Sequence, residues 1–146
     1  MAKITKSDYK FFELARQEAL KSNYEPHHLG CVIVYKNRVV STGYNSTKTH
    51  SVQKKYNRKY RHFREEGKPF HDSLHAEMSA LLSLAHSGEK IDFSKVKIYI
   101  YRIAVGLPLH MGLSRPCPAC RHALLDAGIH HVYYTTDTGY CYEEMF

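Results

Sequence analysis

Apolar residues recur first at helical spacing, then at strand spacing, then in alternation of the two along these 146 residues. Phe11, Phe12, Ala15, Ala19 and Leu20 fall on one side of a helix predicted over 7–23, with Ser7 as its cap. Pro26, His27 and His28 break that pattern. Two β-rich runs, 29–35 and 39–44, flank Lys36-Asn37-Arg38, a polar turn in which Asn37 tolerates a positive φ, and they predict a hairpin. The stretch 45–72 is polar. Within it Val52, Tyr56, Tyr60 and Phe63 recur at steps of three and four and predict a partial helix with Lys and Arg on its other face, ended by Gly67 and Pro69. Asp72 or Ser73 is expected to cap a helix over 74–86 that buries Met78, Leu81, Leu82 and Ala85 and stops at Gly88. Residues 96–102 alternate as a third strand, and 103–115, with Gly106, Pro108 and Gly112, reads as an irregular loop. A helix over 117–127 closed by Gly128, a fourth strand over 129–136 and a fifth over 140–145 complete the chain.

This order predicts an α/β fold, a mixed sheet of about five strands covered by helices, within one domain spanning 1–146. The link Asp137-Thr138-Gly139 is far shorter than a parallel crossover requires, so the last two strands are expected to be antiparallel.

Composition narrows the class. Apolar residues make up 43% and charged ones 24%, as in a soluble globular chain. Apolar runs such as 31–35 are far too short to span a membrane. The polar start, 1–8, lacks the apolar core of a secretory signal, so a cytoplasmic location is expected. In that compartment a C-x-x-C pair among four cysteines points to metal or redox chemistry rather than a disulfide framework. The net charge of +7 suits a phosphate-bearing partner.

The chemistry concentrates in His75-Ala76-Glu77 and Pro116-Cys117-Pro118-Ala119-Cys120. One histidine and two cysteines make three zinc ligands and leave a tetrahedral position open, the mark of a catalytic rather than a closed structural site. The cysteines stand at i and i+3 in a first helical turn, where the partial positive charge of the helix N-terminus favours thiolate, and Pro116 suits the helix entry. Glu77 is placed to move protons rather than to ligate. A thioredoxin-like redox pair would account for neither His75 nor Glu77, and a haem attachment would need histidine where Arg121 stands. A structural zinc would take His122 or Cys141 as fourth ligand. Cys31 sits in an apolar run as a small core residue, and of the 11 histidines His75 alone lies in a motif.

Histidine, glutamate and the C-x-x-C pair with its leading proline match the pattern H-x-E then P-C-x-x-C of zinc nucleobase deaminases. From the first hairpin to the fourth strand the chain resembles the cytidine/deoxycytidylate deaminase superfamily. The resemblance implies a three-layer cytidine-deaminase-like fold, zinc held by His75, Cys117 and Cys120, and hydrolytic conversion of cytosine to uracil with Glu77 carrying the proton. It implies substrate contacts at Ala76 inside the motif, at Asn45 toward the sugar, and at Ser114 and Arg115 toward the base. Arg115 departs from the small, aromatic or acidic residues that family members place there. Tyr133, Tyr134 and Tyr140 suit either base stacking or plain packing. An antiparallel last strand pair resembles the free-cytidine branch; the tRNA-adenosine and deoxycytidylate branches have a helix at that link.

For the substrate, the segment 54–64 holds six basic residues and no acidic one, interleaved with Tyr56, Tyr60, His62 and Phe63. Basic groups that follow phosphates and aromatic faces that stack on bases describe a single-strand surface, with Lys55, Arg58 and Lys59 as contacts. The leading expectation is therefore cytosine within single-stranded DNA or RNA. The enzymic alternative is a free cytosine nucleotide or nucleoside such as dCMP or cytidine, and the non-enzymic one a nucleic-acid-binding module with a structural zinc. The competing account of this segment is a solvated helix face whose tyrosines pack inward. The sequence admits a homo-oligomer.

Overall fold

The computed structural model describes residues 4–61, 72–104 and 111–146. Helix α1 (Lys6–Ala19) precedes the hairpin β1 (His28–Tyr35) and β2 (Arg38–Tyr44). A short strand β3 (Ser46–Thr49), helix α2 (Ser51–Tyr60) and a two-residue strand β4 (Ser73–Leu74) lead into α3 (Ala76–Ser87). Then follow β5 (Lys97–Ile103), β6 (Met111–Gly112), α4 (Pro118–Ala127), β7 (His131–Thr135) and β8 (Tyr140–Glu144).

The main sheet runs β2-β1-β5-β7-β8, with β6 paired to β5. β1 is antiparallel to both neighbours, β5 and β7 are parallel, and β7 and β8 are antiparallel. The parallel pair is joined through α4, while the β7–β8 link closes tightly, Thr136 donating its N–H to the Gly139 carbonyl at 2.7 Å. This is the mixed α/β sheet with an antiparallel last pair that the link length requires. The β1–β2 turn has positive φ at Lys36 (51°) as well as Asn37 (61°), which suits a tight hairpin.

The sheet is covered on both faces, so β1 reads as a continuous apolar run. Val32, Val34, Tyr99, Tyr101 and Tyr133 face α1 with Phe11, Phe12 and Ala15. Cys31, Ile33, Ile98, Ile100 and Val132 form the other cluster, with Ala76, Ala80 and Leu84 of α3 and Leu124 of α4. Two glycines permit close layer contact. A Cβ on Gly30 would lie 2.2 Å from the Ala19 nitrogen, and one on Gly43 2.4 Å from the Ala76 carbonyl. Helix backbones thus rest almost directly on β1 and β2.

Several local expectations change. Thr5, not Ser7, caps α1, and the helix stops at Ala19, which leaves Leu20 62% exposed. Asp72 and Ser73 do not cap α3. Ser73–Leu74 pairs instead with β3, the backbone stays extended through His75, and His75 is the N-cap. Ala76, Ala80 and Leu84 join the sheet-facing core of α3; of the four residues expected to be buried, Met78 is, Leu81 and Leu82 are half-buried, and Ala85 is exposed. Close approach to Gly43 selects small residues there, which hydrophobic periodicity underweights. Phe63, Gly67 and Pro69, with Gly106 and Pro108, lie outside the described residues.

Candidate metal centre

Helices α3 and α4 start on the same side of the sheet, and both N-caps are motif residues. His75 caps α3, Cys117 caps α4, and Cys120 stands in the first turn of α4. Pro118, rather than Pro116, takes the first helical position, where a missing N–H costs nothing. The Cys117 Sγ accepts the Cys120 N–H at 3.5 Å, so the cap itself is a sulfur.

His75 Nδ1 lies 3.5 Å from Cys117 Sγ and 3.3 Å from Cys120 Sγ. Ligand bonds of about 2.0–2.1 Å to nitrogen and 2.3 Å to sulfur at tetrahedral angles imply N···S separations of roughly 3.5 Å. The three donor atoms therefore already stand at the spacing of one tetrahedral zinc, all within 4.8 Å of one another. Among the described residues no other histidine, cysteine or carboxylate joins this cluster, so neither His122 nor Cys141 supplies a fourth ligand. His122 instead stacks on Tyr60.

Electrostatics favour the thiolate form at Cys117. The Cys117 thiol is driven well below its ordinary range, first by the Cys120 hydrogen bond and then by His75. Cys120 is driven up by the same pairing and by burial. Burial pulls the His75 imidazole down, but its contact with Cys117 and the Glu77 charge outweigh that, and the net direction is upward. Glu77, 4% exposed, is raised above the ordinary carboxylate range chiefly by burial. Half-buried His27 is lowered to about 4 by burial and by the positive charges of Arg102 and His75, so it is neutral at pH 7.

The other sequence candidates each have partners within the fold. Ala76 is fully buried and its carbonyl accepts from the Cys31 thiol at 3.2 Å. Asn45 accepts from Ser22 Oγ and the Leu29 N–H and donates to the His27 carbonyl, which ties β2 to the entry of β1. Ser114 is buried and braces β5 against β7 through Ile100 and Thr135. Arg115 makes a two-pronged pair with Glu143 of β8 at 2.9 Å. Tyr133 stacks on Tyr99, and Tyr140 packs 4.3 Å from Phe12, both within the α1 layer.

Lys55, Arg58 and Lys59 are exposed on α2; of the aromatics meant to stack on bases, Tyr56 and Tyr60 are half-buried, and His62 and Phe63 lie outside the described residues. Tyr56 donates to Asp126 Oδ2 of α4 at 2.7 Å, and the Tyr60 ring lies 3.7 Å from that of His122, nearly parallel. Tyr56 and Tyr60 are thus engaged in packing against α4.

Sequence reasoning missed Gln53 and Asn57, both fully buried on α2. Gln53 accepts the His75 N–H at 3.1 Å and donates to Asn57, which donates to Asp72. It also missed Arg61, whose Nη1 lies 3.3 Å from His75 Nε2. The available signal was a pair of amide residues at i and i+4 on an otherwise basic helix.

The family model described as the cytidine and deoxycytidylate deaminase zinc-binding region matches residues 5–136. No curated protein matches the sequence. Among solved structures, the dCMP deaminase of cyanophage S-TIM5 in apo form is 25% identical, with a TM-score of 0.59 over 89% of this chain and 82% of that one. The same phage enzyme in complex with dCMP and dUMP gives 25% identity and a TM-score of 0.57 over 86% and 78%. A cytidine deaminase from Burkholderia pseudomallei shares the fold, with 17% identity and a TM-score of 0.63 over 93% and 91%.

Proposed function

The chain belongs to the cytidine and deoxycytidylate deaminase family, and from that premise we propose that it hydrolyses the amino group of cytosine in a free nucleotide or nucleoside, releasing ammonia and leaving uracil. The observation that carries the reaction type is the spacing of His75 Nδ1 and the two sulfurs, which suits one zinc with an open coordination position beside buried Glu77. Zinc in such a site supplies a water that ionises near neutral pH.

The protein supplies the rest. Glu77, in the first turn of α3, takes one proton from the attacking water and passes it to the ring nitrogen, then takes the remaining proton of the new hydroxyl and delivers it to the amine, which departs as ammonia. Its burial keeps bulk water from competing for that proton. The N-termini of α3 and α4 converge on the site and favour the negative charge that develops there.

The free nucleotide or nucleoside is favoured over a polynucleotide on two grounds. The phage enzyme at 25% identity was solved with dCMP and dUMP. The α2 tyrosines that a single strand would stack on are packed against α4. Cytidine, deoxycytidine, dCMP and a cytosine-containing oligonucleotide offered side by side, with uracil formation as the readout, test this. Turnover of the oligonucleotide alone would return the reading to a strand-acting enzyme, and absence of metal-dependent ammonia release from all four would remove the enzymic reading.

A further inference from the structure

His75 has two jobs that compete. As the N-cap of α3 its side chain would ordinarily bond a backbone N–H of the first turn, yet it makes no such bond because its imidazole is turned to the cysteines. Its own backbone N–H would ordinarily be taken by a Glu or Gln at the third helical position, as in a capping box. That position is Met78, which has no acceptor fit for the role. The missing acceptor comes from another helix: Gln53 Oε1 of α2, fully buried, at 3.1 Å.

From this geometry we infer that Gln53 is a positioning residue for the metal ligand His75, and that α2 is a splint setting the separation of His75 from the cysteines. The orientation of the chain of amides is forced. Asp72 can only accept, so Asn57 Nδ2 donates to it at 3.0 Å; Asn57 Oδ1 then accepts from Gln53 Nε2 at 2.9 Å, and Gln53 Oε1 is left to accept from His75. A satisfied buried network of this kind has one low-energy arrangement. The other end of the splint is equally anchored. Tyr56 bonds Asp126 and Tyr60 stacks on His122, both on the helix that carries Cys120. One helix therefore touches the backbone of the histidine ligand and the body of the cysteine helix.

The inference rests on the reading of His75 as a zinc ligand. Its test compares the zinc dissociation constant, by chelator competition, and the visible absorption of the cobalt-loaded protein across three variants. Gln53→Met removes the acceptor at nearly equal length, and a weakening of zinc binding of about 10-fold or more is expected with shifted cobalt bands, the usual size of such outer contacts. Gln53→Glu keeps an acceptor for His75 while losing the donor to Asn57, and is expected to weaken zinc binding less than Gln53→Met. Val32→Ala, in the α1-side cluster, lowers stability without touching the splint and is expected to leave both readouts unchanged.

Zinc affinity and cobalt spectrum unchanged in Gln53→Met, or equal loss in Gln53→Glu and Gln53→Met, would overturn the inference while the metal site stands. A wild-type protein that binds no zinc would remove the metal reading itself. If Gln53→Met does not fold, amide exchange in the wild-type protein decides: strong protection at His75 supports its bond to Gln53, and exchange as fast as at exposed loop amides rejects it.

Discussion

At the start of α1, Thr5 and Asp8 satisfy each other's backbone: Asp8 Oδ2 accepts the Thr5 N–H at 2.8 Å, and Thr5 Oγ1 accepts the Asp8 N–H at 3.3 Å. Asp8 then reaches into the core, where its other oxygen accepts from the Tyr99 hydroxyl. At the start of α3 the N-cap N–H, that of His75, is held from outside by Gln53 of α2, while the His75 side chain is turned to the cysteines and caps nothing. The first terminus is local, using residues three apart, whereas the second joins residues 22 apart. A helix end that does chemistry gives up the residues that would have capped it, and the fold must provide capping from elsewhere.

The contrast is tested most strongly at Glu77. Under the proposed function, in which Glu77 moves protons rather than ligating, Glu77→Gln should lower deamination by about 10²-fold or more while elemental analysis still finds one zinc per chain. Activity within a few-fold of wild type would show that another group carries the proton.

Metal removal should separate the two ends next. Bound zinc at a hundredfold excess over its Kd adds about 2.7 kcal/mol. Chelation should then lower the melting midpoint by roughly 8 °C. Hydrogen exchange should quicken in the first turns of α3 and α4 and remain slow in the first turn of α1. Equal loosening of all three would mean that the metal stabilises the whole fold rather than one end of it.

Thr5→Ala is the matching cut at the self-contained end. It should cost about 1 kcal/mol in denaturant unfolding. Zinc affinity and turnover should stay within about twofold, since stability losses at separate sites are additive. A loss of zinc affinity would show that the two termini are coupled through the sheet.

The smallest effect is expected on the outer face of α2. Replacing Lys55, Arg58 and Lys59 together with alanine should change stability by no more than about 0.5 kcal/mol, because all three are exposed. Turnover of dCMP should stay within about twofold, since these exposed cations lie opposite the buried face that carries Gln53 and Asn57. A large drop confined to oligonucleotides would revive the strand-binding role of this face.

What the sequence determined by itself follows from short-range physics. The hairpin, the alternating β5, the antiparallel β7–β8 pair and the ligand set His75, Cys117 and Cys120 are all legible, because strand period, turn chemistry, link length and metal-ligand spacing are properties of neighbours in the chain. Tertiary structure decided the rest. Small Ala76 and Ala80 are the contact row of α3 because Gly43 lets two backbones meet, which no count of large apolar residues can register. Leu20 is exposed because α1 ends once Ala19 has reached Gly30. The tyrosines of α2 belong to α4, and Gln53 and Asn57 belong to the start of α3. Their partners lie between 15 and 70 residues away, so only packing of the layers decides which buried polar group meets which.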